Sequence, residues 1–220
     1  MQKKVKTASP DLPQRAVQIT PPNLQTVEFL IIGTAPYVQQ AFSQKAKQAI
    51  RDGQLAGSQS KKGKKREPKD FLAAYEGSKH LSTEGWSGIP ASAFRAAMIS
   101  ACRLVNFKMT LAKMSIFVEA DGFEADGNPL VKIQGEPHYC EHSVRIKDTV
   151  DLRARVLFHV GWRALVRIKF DLDQFSLTDV ANLLARVGVQ VGIGEGRPDS
   201  RSSAGMGWGN FRIANEDETA

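Results

Sequence analysis

Cysteine is nearly missing from this 220-residue chain: Cys102 and Cys140 are the only two, too few for a disulfide framework. No apolar run approaches the length of a membrane-spanning helix. The basic start MQKKVKTASPDLPQ lacks the apolar stretch that an export signal needs. A reducing, cytoplasmic setting without a membrane partner is the expectation. Acid is in short supply too, with 23 Asp and Glu against 30 Lys and Arg, a net charge of +7. That balance points to an anionic partner. There is no internal repeat, no Gly-x-Ser-x-Gly, no paired Cys-x-x-Cys and no Gly-Lys-Ser/Thr closing a phosphate loop. These absences argue against solenoids, serine hydrolases of the nucleophile-elbow type, zinc ribbons and P-loop enzymes.

With 42% hydrophobic and 24% charged residues the composition is globular, and a chain of this size hides roughly 70% of its unfolded surface without staples. Residues 1–25, with Pro10, Pro13, Pro21 and Pro22, read as an extended arm. A domain spans 26–214 and an acidic tail 215–220. The run from Val27 to Ile32, stopped by Gly33 and Pro36, reads as a buried strand. Helical spacing from Phe42 to Arg51 predicts a helix ending before Gly53. A basic loop over 57–70 follows, where Lys61, Lys62, Lys64, Lys65, Arg66 and Lys69 are six cations in nine residues. Inside a domain, a long structureless loop of this charge reads as a binding segment.

The clearest helix runs from Ile89 through Val105, with Arg95 and Arg103 off its apolar stripe, and a further helical turn spans Leu111 to Ser115. FVEADGFEADGNPLVKI predicts a hairpin, and HYCEHSVRIK and RALVRIKFD predict strands. Ser176 and Asp179 form a capping-box pattern for a helix that Gly188 should stop. A last strand is expected near Trp208 to Ile213. Strand, helix, strands, helix, strand is the order of an α+β, ferredoxin-like (RRM-like) βαββαβ core with insertions.

The densest chemical signal is VGVQVGIGEGRPDSRSSAGMGWGNF, with Gly192, Gly194, Gly196, Gly205 and Gly207 among its glycines and with Arg197 and Arg201 inside it. Glycine at this density lets another backbone approach and lets N–H groups form anion-binding concavities. It follows a helix and leads into the last strand, the wrong context for a dinucleotide fingerprint.

Gly88-Ile89-Pro90-Ala91-Ser92-Ala93-Phe94-Arg95 opening a helix, together with a C-terminal glycine-rich loop carrying Arg-Ser and then Gly-Met-Gly, resembles the RAMP superfamily. Those proteins are the guide-RNA-binding backbone subunits of CRISPR complexes. A broader likeness, over Gly33 to Pro36, Ile89 to Cys102 and Gly192 to Pro198, is to uncharacterised tailed-phage proteins, which would place the chain in a host cytoplasm. The RAMP resemblance implies a ferredoxin-like core that binds single-stranded nucleic acid and stacks into filaments. Cleaving members use an acidic residue in an early loop or a histidine. Gly33 to Tyr37 holds neither, so binding without strand cleavage, and without a cofactor, is the expectation.

The residues support that reading on their own. Phosphates need cations on flexible or backbone-rich platforms, which Lys61, Lys62, Lys64, Lys65, Arg66, Arg197 and Arg201 supply. Trp86 and Trp208, in glycine-flanked segments, are candidate base-stacking rings. Arg95, Arg153 and Arg155 complete the cationic set, although Arg153 and Arg155 also fit the solvent face of a strand. His138, Cys140 and His142 fall on one face of a strand and, with Cys102, have the ligand types of a zinc site. Their spacing is not that of a structural zinc motif, so no metal is assigned. The expected function is therefore a single-stranded DNA- or RNA-binding protein that oligomerises along the strand. A phage structural or assembly protein and a single-strand annealing factor are the competing readings.

Overall fold

The computed structural model describes residues 19–42, 44–55, 68–146, 149–200 and 205–218. It is a mixed α+β structure of antiparallel sheets, which matches the expected class. β1 (Leu24–Gly33) pairs along nearly its whole length with β9 (Arg163–Asp171), and its other edge carries β10 (Phe211–Ile213). The far edge of β9 is shared by β4 (Ile116–Glu119) and β6 (Pro129–Gln134). β6 in turn pairs with β3 (Gly88–Pro90) and β5 (Gly122–Phe123). Leu24 and Gln25 are already in β1, so the arm expected over 1–25 gives way to strand two residues early. Residues 1–18 of that arm lie outside the described residues.

Two helices bury their apolar stripes in the same core. α3 (Ala91–Ala101) contributes Phe94, Ala97 and Met98, and α5 (Leu177–Arg186) contributes Val180, Leu183 and Leu184, against Ile31, Val166, Ile168, Phe170 and Phe211. α5 starts as its sequence predicts, with the Ser176 hydroxyl accepting from the Asp179 N–H at 3.1 Å and Asp179 accepting from the Ser176 N–H at 2.9 Å. It does not stop at Gly188. It continues as a π-helical turn, Val187–Val191, and ends at Gly192. Gly188 is required for a different reason: a Cβ there would lie 2.1 Å from the Phe211 carbonyl oxygen, so only glycine lets this turn pack on β10.

A second sheet is a long hairpin, β7 (Pro137–Ile146) and β8 (Thr149–Phe158), extended by the two-residue β2 (Tyr37–Val38). Tyr37, Phe158 and Trp162 join the two sheets, with ring centroids 6.1 and 5.7 Å from Tyr37. Trp162 lies over Gly33, where a Cβ would fall 2.0 Å from its indole nitrogen, and that nitrogen donates to the Ala35 carbonyl at 2.9 Å. Burial raises the Tyr37 phenol above its ordinary range.

The outer elements are α1 (Gln44–Leu55), α2 (Phe71–Glu76) and α4 (Met109–Ser115). α1 runs past Gly53 rather than ending before it. α2 is capped by the Asp70 carboxylate, which accepts from the Ala73 N–H at 2.9 Å, and packs on β8. Lys69 pairs with Asp151 of β8. The acidic tail turns back at Glu216–Glu218, where Glu218 takes both terminal nitrogens of Arg212 at 2.6 Å.

Candidate nucleic-acid interface

The glycine-rich segment bridges the π-turn and β10. Gly192, Gly194, Gly196, Gly205 and Gly207 all have left-handed backbone, with φ of 69°, 78°, 75°, 71° and 73°. Contact reinforces this at every one but Gly207, where a Cβ would meet nothing. A Cβ at Gly194 would fall 2.6 Å from the Val38 carbonyl oxygen and the Tyr37 ring, and one at Gly196 would fall 2.7 Å from the Trp208 ring. The segment is held by main-chain bonds. The Glu195 N–H donates to Val38 at 3.0 Å, Gly209 to Pro36 at 2.7 Å, and Met206 to Gly196 at 2.7 Å. It is a folded platform of mostly half-exposed residues, with Met206 and Gly207 exposed and Gly192, Ile193 and Gly209 buried.

Glu195 fastens that platform to the hairpin. Its two oxygens accept from Arg153 Nη1 at 2.6 Å and Arg155 Nε at 2.8 Å, and its side chain is only 9% exposed. His142 Nε2 lies 3.6 Å from the same carboxylate, and neither ring nitrogen of this buried histidine has a hydrogen-bond partner among the described residues. Trp208 meets the His142 ring edge-on at 5.1 Å. Burial works to raise the Glu195 carboxyl, but His142, Arg153 and Arg155 outweigh it and hold it down at about 2. Directly paired strand residues share a face, so His142 with Arg153 and Cys140 with Arg155 form one side of the hairpin. That side receives the glycine platform. Arg153 and Arg155 are therefore not on a solvent face, and both donate to the one Glu195 carboxylate, which offsets one of their two charges.

On its other flank the platform meets α3. Asp199 takes the Ser100 hydroxyl and accepts twice from Arg103 Nη2, at 2.9 and 2.8 Å. The Ser100 hydroxyl and the Arg103 guanidinium hold Asp199 below the usual carboxylate range. A cavity of about 240 Å³ lies between the two, walled by Ala93, Ala96 and Ser100 on the helix and Gly192, Gly194 and Arg197 on the loop. Arg197 donates to the Gly194 carbonyl at 3.2 Å and is half-buried.

The remaining predicted residues are dispersed. Lys61, Lys62, Lys64, Lys65, Arg66 and Arg201 lie outside the described residues. Trp86 precedes β3, at the opposite edge of the sheet from β10, so it does not join Trp208. Its indole nitrogen donates to Glu84 at 3.0 Å, and its ring covers Gly122. Arg95 donates to the Ile116 carbonyl, at 2.9 Å, and to the Lys113 carbonyl, with its guanidinium 5.4 Å from the Phe117 ring. Cys102 is sealed in the core under α3 while Cys140 is on β7. No group of three or more metal-ligating side chains gathers among the described residues.

Glu195, Asp199 and Ser100 escaped the sequence reading. The one signal for Glu195 was a lone acid between two glycines in a cationic segment. No protein-family model matches this chain, and no curated protein matches its sequence.

Proposed function

We propose that this chain binds single-stranded DNA or RNA with little sequence preference, does no chemistry on it, and self-associates along the strand. We infer that its framework is a ferredoxin-like, RRM-like βαββαβ core. β1, α3, β4, β9, α5 and β10 follow one another in the chain and lie as β10-β1-β9-β4 across the sheet, with the hairpin and outer helices as insertions. The observation that carries the binding reading is the glycine platform, which presents left-handed peptide units beside Arg197 and is braced on both flanks by ion pairs. Glycines that admit close approach, with a neighbouring guanidinium, suit a phosphate chain and read no base edges.

Trp208 follows Gly207 in the chain and its ring lies over Gly196, so backbone and stacking contacts come from one segment. A fluorescent oligonucleotide titrated with the full chain tests the reading. Binding at low salt should weaken steeply as salt rises from about 50 to about 200 mM, because each phosphate contact releases counterions. Indifference to oligonucleotides at low salt ends the proposal, and recovery with virion components would favour an assembly protein instead.

A further inference from the structure

A second constellation stands apart from the glycine platform, in a groove of about 440 Å³ bordered by α1, the α2–β3 connection and the β5–β6 turn. His80 Nδ1 and Glu124 Oε1 are 2.7 Å apart there, each side chain 14% exposed. The second Glu124 oxygen accepts from Asn128 Nδ2 at 2.9 Å, so the carboxylate is itself fixed. The histidine backbone is equally constrained. The fully buried Gln39 side chain accepts from the His80 N–H at 3.2 Å and donates to the Gly88 carbonyl at 2.9 Å, while the Gly88 N–H donates to the His80 carbonyl at 3.0 Å. Against a carboxylate oxygen Nδ1 is the donor, and on the neutral ring Nε2 is then an acceptor. Nε2 makes no hydrogen bond to a described residue.

Two large apolar side chains line the same groove and remain open to solvent: Phe42 is 56% exposed and Leu81 is 42% exposed. The groove's lysines are already paired, Lys47 with Asp126 and Lys79 with Glu76. The site thus combines exposed apolar surface with an oriented acceptor, and with both lysines paired and the His80 ring neutral, the Glu124 carboxylate is the charge left uncompensated among its described residues. A planar heterocycle bearing an N–H fits those terms, and a phosphate does not.

We propose that this groove holds one nucleobase of the bound strand, its ring against Phe42 and Leu81 and an edge N–H donated to His80 Nε2. The inference rests on the reading of the chain as a single-strand binder and adds where a base is taken up. Every nucleobase carries an N–H on its pairing edge, so a single acceptor registers a base without selecting among the four. That agrees with weak sequence preference.

The test uses the full chain and a 4-thiouridine-containing oligonucleotide, crosslinked by light and mapped by mass spectrometry, with affinity measured over a salt series. The expected result is a crosslink within the Phe42 or Leu81 peptide. Phe42→Ala and His80→Phe should each weaken binding about fivefold or more, the scale of one lost stacked base. The slope of log affinity against log salt should stay at the wild-type value, because no phosphate contact is removed. A merely structural role for His80 would instead move thermal stability, which is measured alongside. Should His80→Phe fail to fold, Phe42→Ala and the crosslink map carry the test, and His80→Gln, which retains an acceptor, should keep near-wild-type affinity. Crosslinks confined to other segments overturn the inference and leave the function reading standing. Absence of any oligonucleotide binding by the wild-type chain overturns both.

Discussion

Glu195 concentrates the electrostatics of the platform in one side chain. Its carboxyl is held at about 2 against an ordinary value of 4.5, so the stability it contributes is present in full above about pH 4.5 and is lost as pH falls toward 2. Removing one partner from a buried pair leaves the others uncompensated, and Glu195→Gln should cost about 3 kcal/mol at pH 7. The gap between wild type and variant, read from urea denaturation at stepped pH, should close as the pH falls below 4.5. A gap that stays constant across that range would mean that ionisation of Glu195 does not fasten the loop. This residue was hidden from the sequence for a definite reason. Alternation places Arg153 and Arg155 on one strand face, but which face is inward depends on a carboxylate about forty residues further along the chain.

At the scale of elements, legibility followed locality. α5 was readable because its capping box and apolar stripe lie within one short segment, and Ser176→Ala should cost about 1 kcal/mol, seen as a lowered denaturation midpoint. The glycines were legible as a cluster but not in their individual tasks. Gly53 lies within α1, and Gly188 serves close packing on Phe211 rather than helix termination. β2 and its pairing with the end of β8 were not legible at all, since a two-residue strand has no periodicity and its partner is far along the chain. Gly196→Ala combines a left-handed φ of 75° with a Cβ 2.7 Å from the Trp208 ring. It should destabilise the fold by about 1–3 kcal/mol. It should also disturb the Trp208–His142 contact, visible as a change in tryptophan fluorescence. An unchanged emission spectrum would mean that the ring does not depend on that glycine.

For the whole molecule, the decisive quantity is how many cations meet phosphate. The net charge of +7 says only that an anionic partner is favoured. The structure reduces the candidates, because Arg95 is committed to backbone carbonyls and Arg153 and Arg155 to Glu195. Composition counts charges and is blind to this internal pairing, which is why the sequence nominated more cations than the fold leaves available. Arg197, Arg201 and the 61–66 cluster then carry the binding reading, and a salt series apportions it among them. For single strands each phosphate contact contributes about 0.7 to the slope of log affinity against log salt. Arg197→Ala should lower that slope by about 0.7. Joint replacement of Lys61, Lys62, Lys64, Lys65 and Arg66 by serine should lower it by up to about 3.5, the value for five contacts. A cluster variant with the wild-type slope would reduce that segment to a solvated linker and leave the glycine platform as the binding surface. A wild-type slope in Arg197→Ala with a collapsed slope in the cluster variant would remove Arg197 from the phosphate path and leave the 61–66 cluster as the main electrostatic contact.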